Sequence, residues 1–191
     1  LPPVDLPVTG SDGSELNQIA TTAVADLEAY WAEEYPAVYG DDYLPLTGGL
    51  FAYDSTTSVE TLPCSAPSID VMLNNAFYCP PDDAVAWDQE FLMPFLAETF
   101  GDFTVAVVLA HEWGHVIQGR VGDAEPSVYT ELQADCFAGA WTAHVHQADA
   151  THFLVDTAVL DQALAGVLYL RDAPGLTTED PNAHGSGFDR V

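Results

Sequence analysis

The sequence predicts an α+β domain that is mainly helical and carries a small antiparallel β-sheet. Apolar residues recur at helical spacing in several long segments, and short β-branched and aromatic runs lie between turn residues in the first half of the chain. Of the 191 residues, 48% are apolar, so a chain of this length can bury a core of its own. We expect residues 14–191 to form one domain.

The N-terminal segment divides at Ser14. Residues 1–13 are rich in Pro and Gly without periodicity, which favours an extended lead-in. From Ser14, a typical N-cap, apolar residues follow at helical spacing. We expect this helix to end at about Tyr35, because Pro36 interrupts the hydrogen-bond ladder.

Three strands are predicted next, at Gly49 to Asp54, Asn75 to Cys79 and Ala84 to Trp87. A Pro-Pro-Asp-Asp turn joins the last two into an antiparallel hairpin. Such a sheet beside a helix offers an edge to which an extended peptide can add as a further strand. A purely structural hairpin agrees equally well with the sequence.

The second half of the chain is predicted to be helical. Asp88 to Phe100 forms a short or kinked helix because it contains Pro94. The central helix, Thr104 to Gln118, is apolar nearly all round, which is typical of a helix buried in the middle of a domain. Two further helices follow, one opening at Pro126 and one from about Asp156 to Leu170.

The charge balance is strongly acidic, with 30 acidic side chains, three arginines and a formal net charge of -27. Such a surface repels phosphate backbones and anionic lipids, so we expect neither nucleic-acid binding nor membrane-surface binding. No apolar run is long enough for a transmembrane segment. Acidic pairs such as Asp41 with Asp42 and Asp82 with Asp83 are weak candidates for calcium, and a solvated loop is the favoured interpretation.

The three cysteines differ in their surroundings. Cys64 and Cys79 lie in Pro-rich, loop-like sequence, where a disulfide closing about 15 residues would add about 3 kcal/mol of stability. Such a bond needs an oxidising compartment, so we expect a secreted or other extracytoplasmic protein. Cys136 lies in an apolar helical pattern and is predicted to be a buried small hydrophobe. The chain begins at Leu1 without Met or a signal core, which is typical of a processed product.

The central helix carries the sequence HEWGH at residues 111–115. His111 and His115 project from the same helical face, where two imidazoles can bind one metal ion. Glu112 points about 100° away from His111 and is placed to take a proton from a water molecule that the metal activates. Gly114 costs about 1 kcal/mol relative to Ala in a helix, which indicates that another backbone or a substrate approaches closely.

A catalytic zinc site needs a third protein ligand. The central helix runs about 6 Å beyond His115, and an antiparallel helix from Pro126 brings Glu131 back by about 7.5 Å. Glu131 is then level with the histidines, and Asp135 lies one turn further on the same face. We predict Glu131 as the third ligand and Asp135 as the carboxylate that orients His111, with the exchange of these two roles as the alternative.

The other histidines are weaker candidates for metal binding. His144 lies about 20 Å from Glu131 along a continuous helix, and His146 lies further still. His152 falls in a loop and is expected at the surface. His184 lies in the C-terminal tail, and it remains a candidate site residue because its position in the sequence does not exclude it.

Four segments resemble, in order and spacing, the bacterial neutral zinc metallopeptidases, a gluzincin-like family often found in secreted or lipid-anchored forms. These segments read AFYCPPDDAVAWD, HEWGHVIQ, ELQADCFAGAW and HGSGFDRV. The likeness covers about residues 62–191, and residues 1–60 match only loosely. This chain departs from the family in its acidic surface and in its Pro-Pro-Asp-Asp turn.

The resemblance implies a mainly helical metallopeptidase domain with one catalytic zinc ion. The residues that it assigns to the site are His111, His115 and Glu131 as zinc ligands, Glu112 as catalytic base, and Cys64 with Cys79 as a disulfide. It also brings His184 and Arg190 to the active site, where His184 is a candidate for a second catalytic role in stabilising an oxyanion and Arg190 for a substrate or oxyanion contact.

We therefore expect a zinc-dependent peptidase that hydrolyses extended polypeptide and is secreted or, in its precursor, lipid-anchored. The alternative is a zinc-stabilised binding or scaffolding domain without turnover. A fourth protein ligand such as His184 would favour that alternative, because structural zinc sites are closed. A third interpretation is a metal-free module whose acidic surface binds a basic partner.

Overall fold

A computed structural model describes residues 1–122, 128–148 and 151–170. It confirms the mainly helical α+β class, with a small sheet beside the helices. In chain order the elements are β1 (Val8–Thr9), α1 (Glu15–Tyr39), β2 (Gly49–Tyr53), β3 (Ala76–Cys79), β4 (Ala84–Asp88), α2 (Leu92–Phe100), α3 (Phe103–Val121), α4 (Val128–Gln147) and α5 (Thr157–Tyr169).

Helix α1 begins where the sequence predicts and ends later. The side chain of Ser14 caps its first turn. The helix continues through Pro36 to Tyr39, so the predicted end at Tyr35 is wrong. Proline here removes one hydrogen bond, but the rings of Tyr35 and Tyr39 pack with their centroids 4.8 Å apart, and Gly40 in a left-handed conformation ends the last turn.

The sheet is mixed, with the strand order β1-β2-β4-β3. Strands β3 and β4 form the predicted antiparallel hairpin, with Tyr78 opposite Val85. Strand β2 pairs parallel with both β1 and β4, so the prediction of an antiparallel sheet is wrong for these pairs. The parallel pairs arise because α1 forms a crossover between β1 and β2, and the long segment after β2 brings β4 alongside it. The predicted lead-in, residues 1–13, supplies β1.

Helix α3 runs through the middle of the domain. Fifteen of its 19 residues are buried, which explains why its sequence is apolar nearly all round. Helices α1, α2, α4 and α5 and strand β3 pack around it. The residues of HEWGH are therefore held by neighbours on every side.

Helix α4 packs through one narrow stripe of buried residues, Ala134, Ala138, Trp141 and Val145. Cys136 lies about 200° around the helix from Ala134. It is exposed, so the prediction of a buried cysteine is wrong. The apolar composition of this segment concealed which of its faces packs on the domain.

A disulfide joins Cys64 to Cys79, as predicted. It ties the loop after β2 to the last residue of β3. Such a bond is compatible with a location outside the cytoplasm.

None of the helices in the described ranges is both long enough and apolar enough to cross a membrane.

Candidate metal centre

Helices α3 and α4 bring the three predicted metal ligands together. The Nε2 atoms of His111 and His115 lie 3.2 Å apart. Glu131 faces both rings, with Oε2 3.2 Å from the Nε2 of His111 and Oε1 3.3 Å from the Nε2 of His115. One ligand atom from each residue lies within 4.8 Å of the others, so the group can hold one metal ion.

The donor atoms fit a tetrahedral zinc ion in both chemistry and spacing. Bonds of about 2.0 Å at tetrahedral angles place neighbouring donors about 3.3 Å apart. The two Nε2 atoms lie 3.2 Å apart, which matches this separation, and each lies 3.2 to 3.3 Å from one of the two carboxylate oxygens of Glu131. Two imidazoles and one carboxylate are also the protein ligands of a common class of catalytic zinc site, in which the fourth position takes water or substrate.

A close crossing of the two helices places Glu131 beside the histidines. A Cβ atom added to Gly114 would lie 2.7 Å from the Cα of Ala134, which is much closer than van der Waals contact. Of the two predicted explanations for this glycine, the approach of another backbone is therefore confirmed. Because Ala134 lies between Glu131 and Asp135 in α4, this crossing sets the height of both carboxylates.

The outer nitrogen of each histidine ring has its own partner. The Nδ1 of His111 lies 2.8 Å from Oδ1 of Asp135, which is the neighbour that the sequence predicts. The Nδ1 of His115 lies 2.8 Å from Oε1 of Gln118. Because Asp135 contacts the outer nitrogen while Glu131 contacts both Nε2 atoms, the geometry favours the predicted roles over their exchange.

Gln118 is a site residue that the sequence reasoning missed. The available signals were its position three residues after His115, which places both side chains on one helical face, and its place as the last residue of the segment HEWGHVIQ. An amide at this spacing is common on solvated helices and carries no signal of its own. Its relevance depends on its burial against α4, where it is 4% exposed.

Negative charge dominates the electrostatics of the centre. Burial by itself lowers the pKa of His111, but hydrogen bonds to Asp135 and Glu131 outweigh burial and, with the nearby charge of Glu112, raise the pKa to about 10. The metal-free centre therefore holds a proton on His111 tightly. A divalent cation would benefit from the same carboxylates and would compete with that proton.

Glu112 lies beside the three candidate metal ligands and is not one of them. The residue is 9% exposed, and its Oε2 accepts a hydrogen bond of 3.2 Å from the backbone N–H of Tyr78 on β3. Together with His111 it lines a cavity of about 230 Å³. The other walls of this cavity are Asn74, Asn75, Ala76, Leu92, Val108, Val167 and Leu170. Glu112 thus faces an open space with a mixed polar and apolar lining next to the donor atoms.

An ion pair fixes the far end of β3 against α3. Arg120 donates to both carboxylate oxygens of Asp83, at 2.7 and 3.1 Å, and the hydroxyl of Tyr78 donates to the same carboxylate at 3.0 Å. Burial raises the pKa of Asp83, but the hydrogen bonds from Arg120 and Thr47 outweigh it and lower the pKa to about 2. The interpretation of Asp82 and Asp83 as a solvated loop is therefore wrong for Asp83. Calcium binding by the acidic pairs stays a prediction.

Three other histidines lie away from the centre. The ring of His144 packs 5.0 Å from that of Tyr30, and the Nδ1 of His146 lies 2.8 Å from the carbonyl oxygen of Val155. His152 pairs with Asp26 and is half-buried, so its predicted surface location is wrong.

Two predicted site residues, His184 and Arg190, lie outside the described residues. Their place in the site stays a prediction.

The comparison with family models decides the family of this chain. Residues 7–126 match the model described as "Putative neutral zinc metallopeptidase". This chain belongs to that family. The matched region contains HEWGH and Tyr78 and ends before Glu131. It begins at residue 7, so the N-terminal part resembles this metallopeptidase family more closely than the motifs alone indicated.

Relatives of this family member occur in distant bacteria. The chain is 27% identical over 200 residues to the uncharacterized protein Rv2575 of Mycobacterium tuberculosis, an alignment that covers 96% of the chain and 60% of the relative. It is 32% identical over 139 residues to the uncharacterized protein YpfJ of Escherichia coli, which covers 60% of the chain and 47% of that relative. The chain thus spans only about half to three-fifths of the length of these proteins. No solved structure matches it.

Proposed function

We propose that this protein is a zinc-dependent peptidase whose single catalytic zinc ion is held by His111, His115 and Glu131. The observation that carries the proposal is the convergence of the three side chains: the two Nε2 atoms lie 3.2 Å apart, and each lies 3.2 to 3.3 Å from one oxygen of Glu131. Two imidazoles and one carboxylate suit a zinc ion with one position left for water. Membership of a zinc metallopeptidase family, whose match includes His111 and His115, supports a zinc-dependent peptidase as well.

The proposed reaction is hydrolysis of a peptide bond by water. When bound, zinc would lower the pKa of water to near 7 and would polarise the carbonyl of the substrate. Glu112 takes the proton from the attacking water as general base and delivers it to the nitrogen of the leaving amine. Asp135 and Gln118 hold the histidine rings so that both Nε2 atoms face the metal.

The proposed substrate is an extended polypeptide. Strand β3 is an edge strand, and it lies beside Glu112, whose Oε2 already accepts a hydrogen bond from the N–H of Tyr78. The outward backbone groups of such an edge can pair with a peptide that crosses the centre. The cavity beside Glu112 has Ala76 of the same strand in its wall, and the apolar part of its lining, which includes Leu92 and Val108, suits an apolar side chain of that peptide.

Replacement of Glu112 by Gln tests the proposal. The amide cannot act as a base, so we expect the Glu112→Gln variant to bind zinc as the unsubstituted protein does and to lose peptide hydrolysis by a factor of about 10² to 10⁴. The measurements are zinc content by elemental analysis and cleavage of a peptide library with and without a chelator. Glu98→Gln, an exposed change of the same chemistry on α2, is the control and should keep full activity.

Two results would contradict this function. Full activity in the Glu112→Gln variant would overturn the role of Glu112 as general base. Stoichiometric zinc without chelator-sensitive cleavage of any peptide would overturn the peptidase proposal and favour a zinc-stabilised scaffold.

We further propose secretion or lipid anchoring of the precursor, and a role for His184 and Arg190 near the reacting carbonyl. If His184 stabilises an oxyanion, His184→Ala lowers kcat and leaves zinc affinity unchanged. If His184 closes the site as a fourth ligand, the same variant loses zinc affinity. Arg190→Ala is expected to raise KM.

A further inference from the structure

Gln118 lies between the two helices that form the metal centre. Its side-chain amide is buried, and three hydrogen bonds surround it. The Nε2 group donates to the backbone carbonyl of Thr130 at 2.6 Å and to Oε1 of Gln133 at 3.0 Å. The Oε1 atom lies 2.8 Å from the Nδ1 of His115. One amide therefore contacts α3 on one side and the first turn of α4 on the other.

The surroundings determine which way the amide points. A backbone carbonyl such as that of Thr130 only accepts hydrogen bonds, so the group that faces it must be the NH₂ of Gln118. The oxygen of the amide then faces His115 and can only accept. His115 must therefore carry its proton on Nδ1, which leaves the Nε2 lone pair free to face His111 and Glu131.

The same amide also acts on the third metal ligand. Thr130 directly precedes Glu131, so the bond from Gln118 holds the backbone at the point where the carboxylate leaves the helix. We propose that Gln118 is a positioning residue that fixes two of the three metal ligands, His115 through its carbonyl oxygen and Glu131 through the carbonyl of Thr130. This inference rests on the proposed zinc site.

Gln118 and Asp135 perform matching tasks with different chemistry. Asp135 holds His111 through a carboxylate, whereas Gln118 holds His115 through a neutral amide. Asp135 lies on α4, so its bond to His111 joins the two helices directly. Gln118 lies on α3 with His115, so it needs both the acceptor and the donor of an amide to orient His115 and to hold α4. A carboxylate at position 118 could do the first task and not the second.

Zinc affinity of three variants tests the inference. Gln118→Met keeps the volume of the side chain and removes its polar groups, so we expect zinc affinity to fall about 10- to 100-fold. Gln118→Glu keeps an oxygen for the Nδ1 proton of His115 but loses the donor to Thr130, so we expect a loss of zinc affinity that is smaller than that of Gln118→Met. Gln89→Met is the control, because Gln89 is a similarly buried amide that bonds to Gly10, Asp12 and Asn17 away from the metal group. It should lower stability and leave zinc affinity unchanged.

The Nδ1–H signal of His115 gives a second readout that a merely structural role would not change. In the zinc-loaded protein, ¹⁵N NMR of the imidazoles should show His115 protonated on Nδ1 in the unsubstituted protein and in Gln118→Glu. In Gln118→Met the Nδ1 proton loses its acceptor, so its signal should broaden or shift. His111, held by Asp135, should keep its signal in all three proteins.

The outcomes separate this inference from the proposed function. If the unsubstituted protein binds no zinc, the metal site fails and the inference fails with it. If the unsubstituted protein binds zinc and Gln118→Met binds it equally well, the role of Gln118 is overturned while the zinc site stands. Equal losses in Gln118→Met and Gln118→Glu would overturn the claim that the carbonyl oxygen orients His115. If Gln118→Met does not fold, Gln118→Glu and the NMR signal of His115 still decide this point.

Discussion

Helices α3 and α4 contribute to the metal centre in different ways. Fifteen of the 19 residues of α3 are buried, and the helix has neighbours on every side. In α4 the buried residues form one stripe, Ala134, Ala138, Trp141 and Val145, and most of the remaining surface is partly or fully exposed. The two histidines therefore sit on a helix in the core, and Glu131 sits on a helix packed against that core.

This difference shows which half of the site depends on docking. A fully surrounded helix cannot shift without moving the rest of the core, so the spacing of His111 and His115 is set by the helix itself. The position of Glu131 depends on a few contacts near the start of α4, chiefly the approach of Ala134 to Gly114 and the bonds of Gln118. We expect a bound zinc ion to hold Glu131 on α4 against His111 and His115 on α3.

Zinc addition should show the difference most strongly. A ligand at one hundred times its Kd stabilises the folded state by about 2.7 kcal/mol. We expect hydrogen exchange of the amides in residues 129–137 to slow far more than exchange in α3, because zinc coordination by Glu131 adds a new contact between α4 and α3. Exchange with zinc and with a chelator measures this effect. An equal slowing of exchange in both helices would mean that α4 is held as firmly as α3 before zinc binds.

A methyl group at the helix crossing should have the next largest effect. Gly114→Ala puts a Cβ atom against the backbone of α4, which cannot yield as a side chain can, so we expect a loss of about 1–3 kcal/mol in the free energy of unfolding. Zinc affinity should fall as well, because Glu131 moves away with α4. Urea denaturation and zinc titration measure the two effects.

Gly139 on α4 offers the matched control for this substitution. A Cβ atom at Gly139 would meet nothing within 4 Å. Gly139→Ala should therefore raise stability by up to about 1 kcal/mol, through helix propensity alone. Similar losses in Gly114→Ala and Gly139→Ala would mean that the crossing is not the close contact described here.

The ion pair of Arg120 and Asp83 should give the smallest effect, at the far end of α3. The folded state lowers the pKa of Asp83 to about 2, below the ordinary value of about 3.9. Its contribution is therefore fully present above about pH 4 and is lost as the pH falls through about 2. The pair is partly solvated, so we expect Asp83→Asn to cost at most about 1 kcal/mol at pH 7 and nothing near pH 2.

Asp41→Asn is the control for this pH dependence. Asp41 is exposed, and its substitution removes the same charge from the same acidic protein. We expect a change within about 0.5 kcal/mol across the range. If Asp83→Asn follows Asp41→Asn at every pH, the ion pair contributes nothing to the attachment of β3 to α3.

Much of the centre was predictable because helical geometry converts sequence spacing into distance. His111 and His115 share a face for that reason, and counting the rise along two antiparallel helices placed Glu131 and Asp135 at the right height. The glycine between the histidines indicated a close neighbour before the neighbour was known. These inferences need only the regular geometry of an α-helix and the assumption that the next helix runs antiparallel to it.

The sequence by itself therefore determined the α+β class, the buried central helix, the β3–β4 hairpin and the side chains that meet in the candidate metal centre, because periodicity and spacing act locally. Only the tertiary structure decided the rest. Strand β1 pairs parallel with β2 across a 25-residue helix, Cys136 faces outwards, and Gln118 is buried against Thr130. Each of these depends on which face of an element meets a partner distant in sequence, and no local pattern contains that information.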